Sequence, residues 1–187
     1  MKRIAVILSA LVLFASAATL ASQDPPPLPA PAADTSGLHD FDFLMGEWRV
    51  HHRVLKGGTW LEFDGTCSAR KVLDGWGNFE EHALAAPTGA YRAVGLRSYD
   101  GKTGLWSIWW LDSRYAQGPL DPPVRGRFAN GVGDFISDDT LNGKPIRVRY
   151  RWSQITASSA RWEQAYSSDA GKTWAINWVM EFRRASS

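Results

Sequence analysis

The chain has 187 residues, with 21 Lys or Arg against 19 Asp or Glu, one cysteine and ten tryptophans. The near-balance of charge excludes polyanion binding as a first reading, because nucleic-acid binders gather a basic surplus on one face. A single thiol closes no internal disulfide, so stability must come from a packed core.

Lys2 and Arg3 open the chain, Ile4 to Phe14 is apolar, and Ala15-Ser16-Ala17 or Thr19-Leu20-Ala21 supplies small residues for cleavage. This pattern predicts an export signal over residues 1–21 and a periplasmic or secreted mature protein. The apolar run is too short to cross a bilayer of about 30 Å as a helix. An uncleaved anchor is the alternative; after cleavage no membrane insertion is expected. No cysteine follows the run to carry a lipid. Cleavage would remove Lys2 and Arg3, leaving 21 less 2, or 19, basic residues against 19 acidic.

Residues 22–37 carry Pro25, Pro26, Pro27, Pro29 and Pro31 among alanines. Proline holds φ near −65° and cannot donate to a sheet ladder, so this stretch reads as an extended linker. One domain is expected over residues 38–187. Leu38 to Gly46 reads as a short cap or helical turn. Strand patterns follow at Trp48–Leu55, Trp60–Val72, Phe79–Ala86, Tyr91–Tyr99 and Leu105–Leu111. More follow at Val124–Phe128, Gly133–Ser137, Pro145–Ile155, Arg161–Tyr166 and Trp174–Phe182. Gly-rich and Asn-Gly turns separate them.

The stretch 145–155 shows the alternation best. Ile146, Val148, Tyr150 and Trp152 point one way, and Arg147, Arg149 and Arg151 the other. The arginine row is either a solvated outer face or an anion site. In the last strand Trp174, Ile176, Trp178, Met180 and Phe182 share one expected face. About ten short strands joined by tight turns fit an up-and-down barrel or a two-sheet sandwich, and closure favours the barrel by removing exposed edges. Ser167-x-Asp169-x-Gly171-x-Thr173-Trp174 matches the Asp-box pattern of sialidase propellers, which clamps a hairpin turn and is not an active site.

Phe41-Asp42-Phe43-Leu44-Met45-Gly46-Glu47-Trp48 resembles the Gly-x-Trp start of lipocalins and related calycin barrels. With the Glu163-Gln164-Ala165-Tyr166 segment and the last Trp-containing strand, the chain is similar to an uncharacterised bacterial family of exported calycin-like barrels, distantly similar to nitrobindin. The resemblance implies an all-β, antiparallel, calycin-like barrel with Trp48 as its floor. It also implies a late arginine, Arg183 or Arg184, packed across that tryptophan. The chain lacks the two helices that fatty-acid-binding proteins insert after the first strand. Haem binding of the nitrobindin kind would need a late histidine, and the last one is His82. No cofactor is therefore expected. No metal spacing is present, with no His-x-His, no clustered cysteines and no Glu-x-x-His helix, and neither is a phosphate loop or nucleophile elbow.

Three functions fit these patterns. The first is a small-molecule binder whose cavity is lined by Trp48, His52, Trp109, Tyr150, Gln164, Tyr166 and Trp178, taking an apolar or aromatic ligand. The second is a barrel-mouth isomerase, cyclase or hydrolase. There His52 moves a proton, Glu62 or Glu81 orients it, and Arg97 steadies negative charge. Counting from Trp48, His52 faces inward and His51 outward, and Glu80 and His82 are further possible neighbours. The third is an envelope protein-interaction module using outer tryptophans. Cys67 reads as a small buried filler, with a reactive nucleophile as the sharper alternative.

Overall fold

The computed structural model describes residues 33–185. The expected signal, and the expected linker up to residue 32, lie outside the described residues. The strands are β1 (Gly46–Lys56), β2 (Thr59–Val72), β3 (Gly77–Leu84), β4 (Tyr91–Asp100) and β5 (Leu105–Asp112). After them come β6 (Val124–Ala129), β7 (Val132–Leu141), β8 (Lys144–Ser153), β9 (Ser159–Ser167) and β10 (Ala175–Arg184). Each strand pairs antiparallel with the next, and β1 also pairs with β10, so the sheet is a closed ten-stranded up-and-down barrel. Among the described residues the only helical pieces are two 3₁₀ turns, Asp42–Leu44 and Leu73–Gly75. No described helix is long and apolar enough to cross a membrane.

Local chemistry explains the meander. Asn130-Gly131 and Asn142-Gly143 both take positive φ at both residues (52° and 76°, 51° and 75°), the two-residue turn whose twist matches the flanking strands. β7 outruns the expected end at Ser137, because Asp138 stands opposite Arg147 and the two side chains meet at 3.4 Å. The arginine row of β8 lies on the outer wall. Arg151 donates twice to Asp134, at 2.7 Å each, and Arg149 stacks 4.6 Å over Trp174. That stack corrects the expected face of Trp174. The β9–β10 register shifts between Ile176 and Trp178, so the chain before the bulge no longer continues the face that Trp178, Met180 and Phe182 present inward.

The Trp48 end of the barrel is closed. Trp48 is 1% exposed and its indole N–H donates to the Leu44 carbonyl at 2.6 Å. Arg184 supplies the late arginine: its guanidinium lies 3.9 Å from the Trp48 ring centroid and donates to the Phe43 and Met45 carbonyls. Phe41 drives deeper, ringed by Trp106 at 5.1 Å, Phe128 at 5.0 Å and Phe135 at 5.7 Å. The segment before it is also tied down. Asp34 N–H donates to Gly101 at 2.7 Å, and Trp106 donates to the Gly37 carbonyl at 3.0 Å.

Candidate functional site

Two groups of side chains inside the barrel carry chemistry. The first is polar and buried. Alternation along β3 turns Asn78, Glu80 and His82 inward, at 2%, 4% and 0% exposure. Glu80 stands opposite Gly95 on β4, where an added Cβ would lie 2.8 Å from the Glu80 Cγ; the glycine leaves the room that this side chain fills. Arg97, 2% exposed, donates to Glu80 at 2.7 Å and to Asn78 at 3.0 Å, with its guanidinium 4.7 Å from the Phe41 ring. Burial alone would raise the Glu80 pKa. The adjacent Arg97 charge and His82 outweigh it and hold the carboxyl at about 2. Cys67 on β2 directs its thiol to Glu80 at 3.9 Å, and burial together with that carboxylate pushes the thiol pKa up. The nucleophile alternative thus meets a buried, protonated thiol.

His52 does face inward, fully buried. It stacks on Phe63 at 4.9 Å with planes 9° apart, and its Nδ1 lies 3.3 Å from the Trp178 indole nitrogen, which donates to it. Desolvation lowers its pKa to about 3, with repulsion from His82 adding to the effect. The ring is therefore neutral near pH 7, with the proton on Nε2. The expected His52–glutamate pair does not form. Glu62 and Glu81 lie on the outer wall, where Glu62 pairs with Arg53 at 3.1 Å and Glu81 with Arg92 at 3.1 Å. The period of two explains this: the residue opposite His52 is Phe63, and Glu62 stands opposite Arg53. Arg97 reaches the interior, but its partner there is Glu80. The same alternation could have marked Glu80-x-His82 in the sequence as two ligand-type side chains on one strand face.

The second group is aromatic. Trp110 and Trp162 each meet Trp178 edge-on at 5.5 and 5.6 Å, and Tyr150 tilts on Trp162 at 5.0 Å. Gln164 donates to the Tyr166 hydroxyl at 3.1 Å and to Asn177 at 3.2 Å. His52, Tyr150, Gln164 and Trp178 are thus brought to one half of the barrel, while Trp48 forms the opposite floor. Trp109 departs from the expectation. Trp106 and Trp110 are turned inward, so Trp109 lies on the other face of β5.

The expected ligand-sized lumen is not hollow. The enclosed space beside Glu80, Arg97, Trp110, Tyr150 and Trp162 measures about 10 Å³, room for roughly one water. Trp106, Trp152 and Phe182 are each 1% exposed and fill the volume a ligand would take. A larger space opens at the side of the mouth. β5 and β6 pair only over Trp106–Ile108, so beyond Ile108 the edge of β5 parts from β6. The resulting gap of about 110 Å³ is bounded by Trp109, Trp110, Tyr150, Ser137, Asp121 and Asp139. Burial raises the Tyr150 pKa, with Tyr166, Asp139 and Asp121 adding to it, so the phenol stays protonated. Trp109 and Tyr150, on opposite faces of their strands' pattern, meet the same space.

No protein-family model and no curated protein matches the chain. Among solved structures, the crystal structure of Rv2717c from M. tuberculosis matches with a TM-score of 0.54 at 11% identity, covering 82% of this chain and 99% of that one. A redesigned β-barrel matches at 0.43 and 7% identity, over 78% and 94%. EF1p2_mFAP2b bound to DFHBI matches at 0.46 and 9% identity, over 80% and 100%. The chain is a calycin-like barrel in fold.

Proposed function

We propose that the protein is an exported, calycin-like barrel that binds a small, flat, positively charged molecule in the side gap of its mouth. The carrying observation is the composition of that gap: Trp109, Trp110 and Tyr150 supply aromatic surface, and Asp121 and Asp139 supply negative charge. Aromatic faces attract cations, and carboxylates fix their orientation. The gap is of the order of the ~150 Å³ engineered cavity that admits benzene, so it takes one ring or the end of a longer ligand. Export rests on residues 1–21, and kinship with the exported bacterial calycin-like family on the Asp42–Trp48 phrase.

Tryptophan fluorescence titrated with small aromatic cations and their neutral isosteres tests the binding. Saturable quenching by the cations is expected, weakened about tenfold or more in Asp139→Asn, a loss of ~1.4 kcal/mol or more. Equal quenching by charged and neutral compounds, or none that saturates, rejects this site. Cell fractionation with mass measurement of the mature N-terminus tests export; a full-length cytoplasmic chain rejects it.

A further inference from the structure

The buried polar group beside the floor carries a second proposal, independent of the mouth. We propose that Cys67, Glu80 and His82 form a binding site for a borderline-soft divalent cation, Zn²⁺ foremost. Strand pairing creates the cluster: Cys67 and His82 are direct partners across β2 and β3, and Glu80 precedes His82 by one full strand period. One ligand atom from each residue lies within 4.8 Å of the others. Zinc bonds near 2.0–2.3 Å set ligand separations of about 3.3–3.7 Å, so side-chain rotation of about 1 Å closes the set.

His82 points independently to a ligand. It is fully buried, and neither ring nitrogen has a hydrogen-bond partner. Its Nε2 lies 3.4 Å from Glu80 Oε1, close enough to feel that carboxylate's charge but outside hydrogen-bond geometry. A buried polar atom left unmade costs about 1–3 kcal/mol, so such an imidazole calls for an occupant. A cation takes the lone pair of one nitrogen.

Glu80 is already arranged as a ligand. Arg97 holds Oε1 at 2.7 Å, and Asn78 in turn holds Arg97 at 3.0 Å. The other oxygen, Oε2, is the one turned to the Cys67 sulfur. Outer partners of this kind orient ligands in metal sites. A donor set of sulfur, imidazole and carboxylate suits zinc or its cobalt substitute better than magnesium or calcium. His52 is a neighbour and not a ligand, because Trp178 occupies its Nδ1 and leaves the proton on Nε2.

Binding replaces a proton. The Cys67 S–H bond breaks, a sulfur–metal bond forms, and the proton leaves to solvent. Thiolate and carboxylate then face the cation, and with Arg97 still paired to Glu80 the loaded site carries one net positive charge. Since all three ligands are enclosed, the metal is loaded as the chain folds.

The test is refolding of the full chain with Co²⁺ or Zn²⁺, followed by desalting and elemental analysis. One metal per chain is expected, with a near-ultraviolet thiolate-to-Co²⁺ charge-transfer band and a proton released per metal. The chain has one cysteine, so that band reads Cys67 alone. Cys67→Ser abolishes the band, and His82→Gln weakens binding about 10-fold or more. His51→Ala, on the outer wall beside Asp64, leaves both unchanged. Circular dichroism checks that each variant folds; if one does not, the wild-type band decides. No retained metal, or Co²⁺ bound without the band, overturns the proposal. So does metal lost in His51→Ala and kept in Cys67→Ser, which marks an adventitious surface ion only.

Discussion

His52 and His51 are neighbours in sequence with opposite fates. Asp64 and Glu62 flank His51 on the outer wall and raise its pKa. His52, with Phe63, Trp178 and His82 around it, is pushed down to about 3 from an ordinary 6.5. Weaker charges from His51 and Asp64 act on it as well. In the unfolded chain His52 takes up its proton first as pH falls. Its contribution is therefore complete above about pH 6.5 and lost between there and about pH 3, on the order of several kcal/mol. His52→Gln should flatten the acid limb of stability in that window, measured by urea unfolding across pH with a chelator present. An unchanged slope would show that the ring is protonated inside the fold. Arg97 offers a second check. Arg97→Met leaves Glu80 buried without its partner and should cost about 3–5 kcal/mol by the same unfolding measurement.

Strands and turns position these residues. Gly95→Ala would press a methyl into Glu80, because a Cβ there lies 2.8 Å from the Glu80 Cγ. Overpacking of this kind should cost about 1–3 kcal/mol, visible as a lower urea midpoint. The β9–β10 connection has its own clamp. Ser167 accepts from the Gly171 amide at 2.8 Å, and Asp169 accepts from the Thr173 amide at 2.9 Å and its hydroxyl at 2.6 Å. The Thr173 hydroxyl first, then its amide and the Ser167 hydroxyl, which donates at 2.7 Å, hold the Asp169 pKa at about 2. Asp169→Ala should speed amide exchange at residues 167–174 and leave β3 and β4 unaffected; uniform acceleration would instead mean that the turn nucleates the whole barrel. The Asp-box spacing made this clamp readable in the sequence, because every bond in it spans four residues or fewer. The β10 bulge was not readable, since nothing in the alternation of Trp174, Ile176 and Trp178 marks where pairing with β9 slips.

Closure is a property of the complete sheet. β1 meets β10 with Trp48 opposite Arg184, and that pairing brings the guanidinium to the floor tryptophan. Phe41, 1% exposed, seals the same end. Phe41→Ala should cost about 3–5 kcal/mol and lower Tm, and a negligible loss would show that the floor needs only Trp48. The alternation of apolar and polar residues, with Asn-Gly turns between them, was enough to specify ten antiparallel strands and the inward faces of His52, Tyr150 and Trp178. Those are local properties: side chains alternate every two residues, and a turn is chosen by the residues within it. What the alternation could not show was the filling of the interior, because volume depends on how Trp106, Trp152, Phe182 and Phe41 meet across the closed sheet. The partnership of Glu80 with Arg97 and Cys67, instead of His52 with Glu62 or Glu81, likewise follows from the register of β2, β3 and β4. Register is fixed by cooperative burial of whole strand faces, so each contact it creates between distant residues exists only once the barrel has closed.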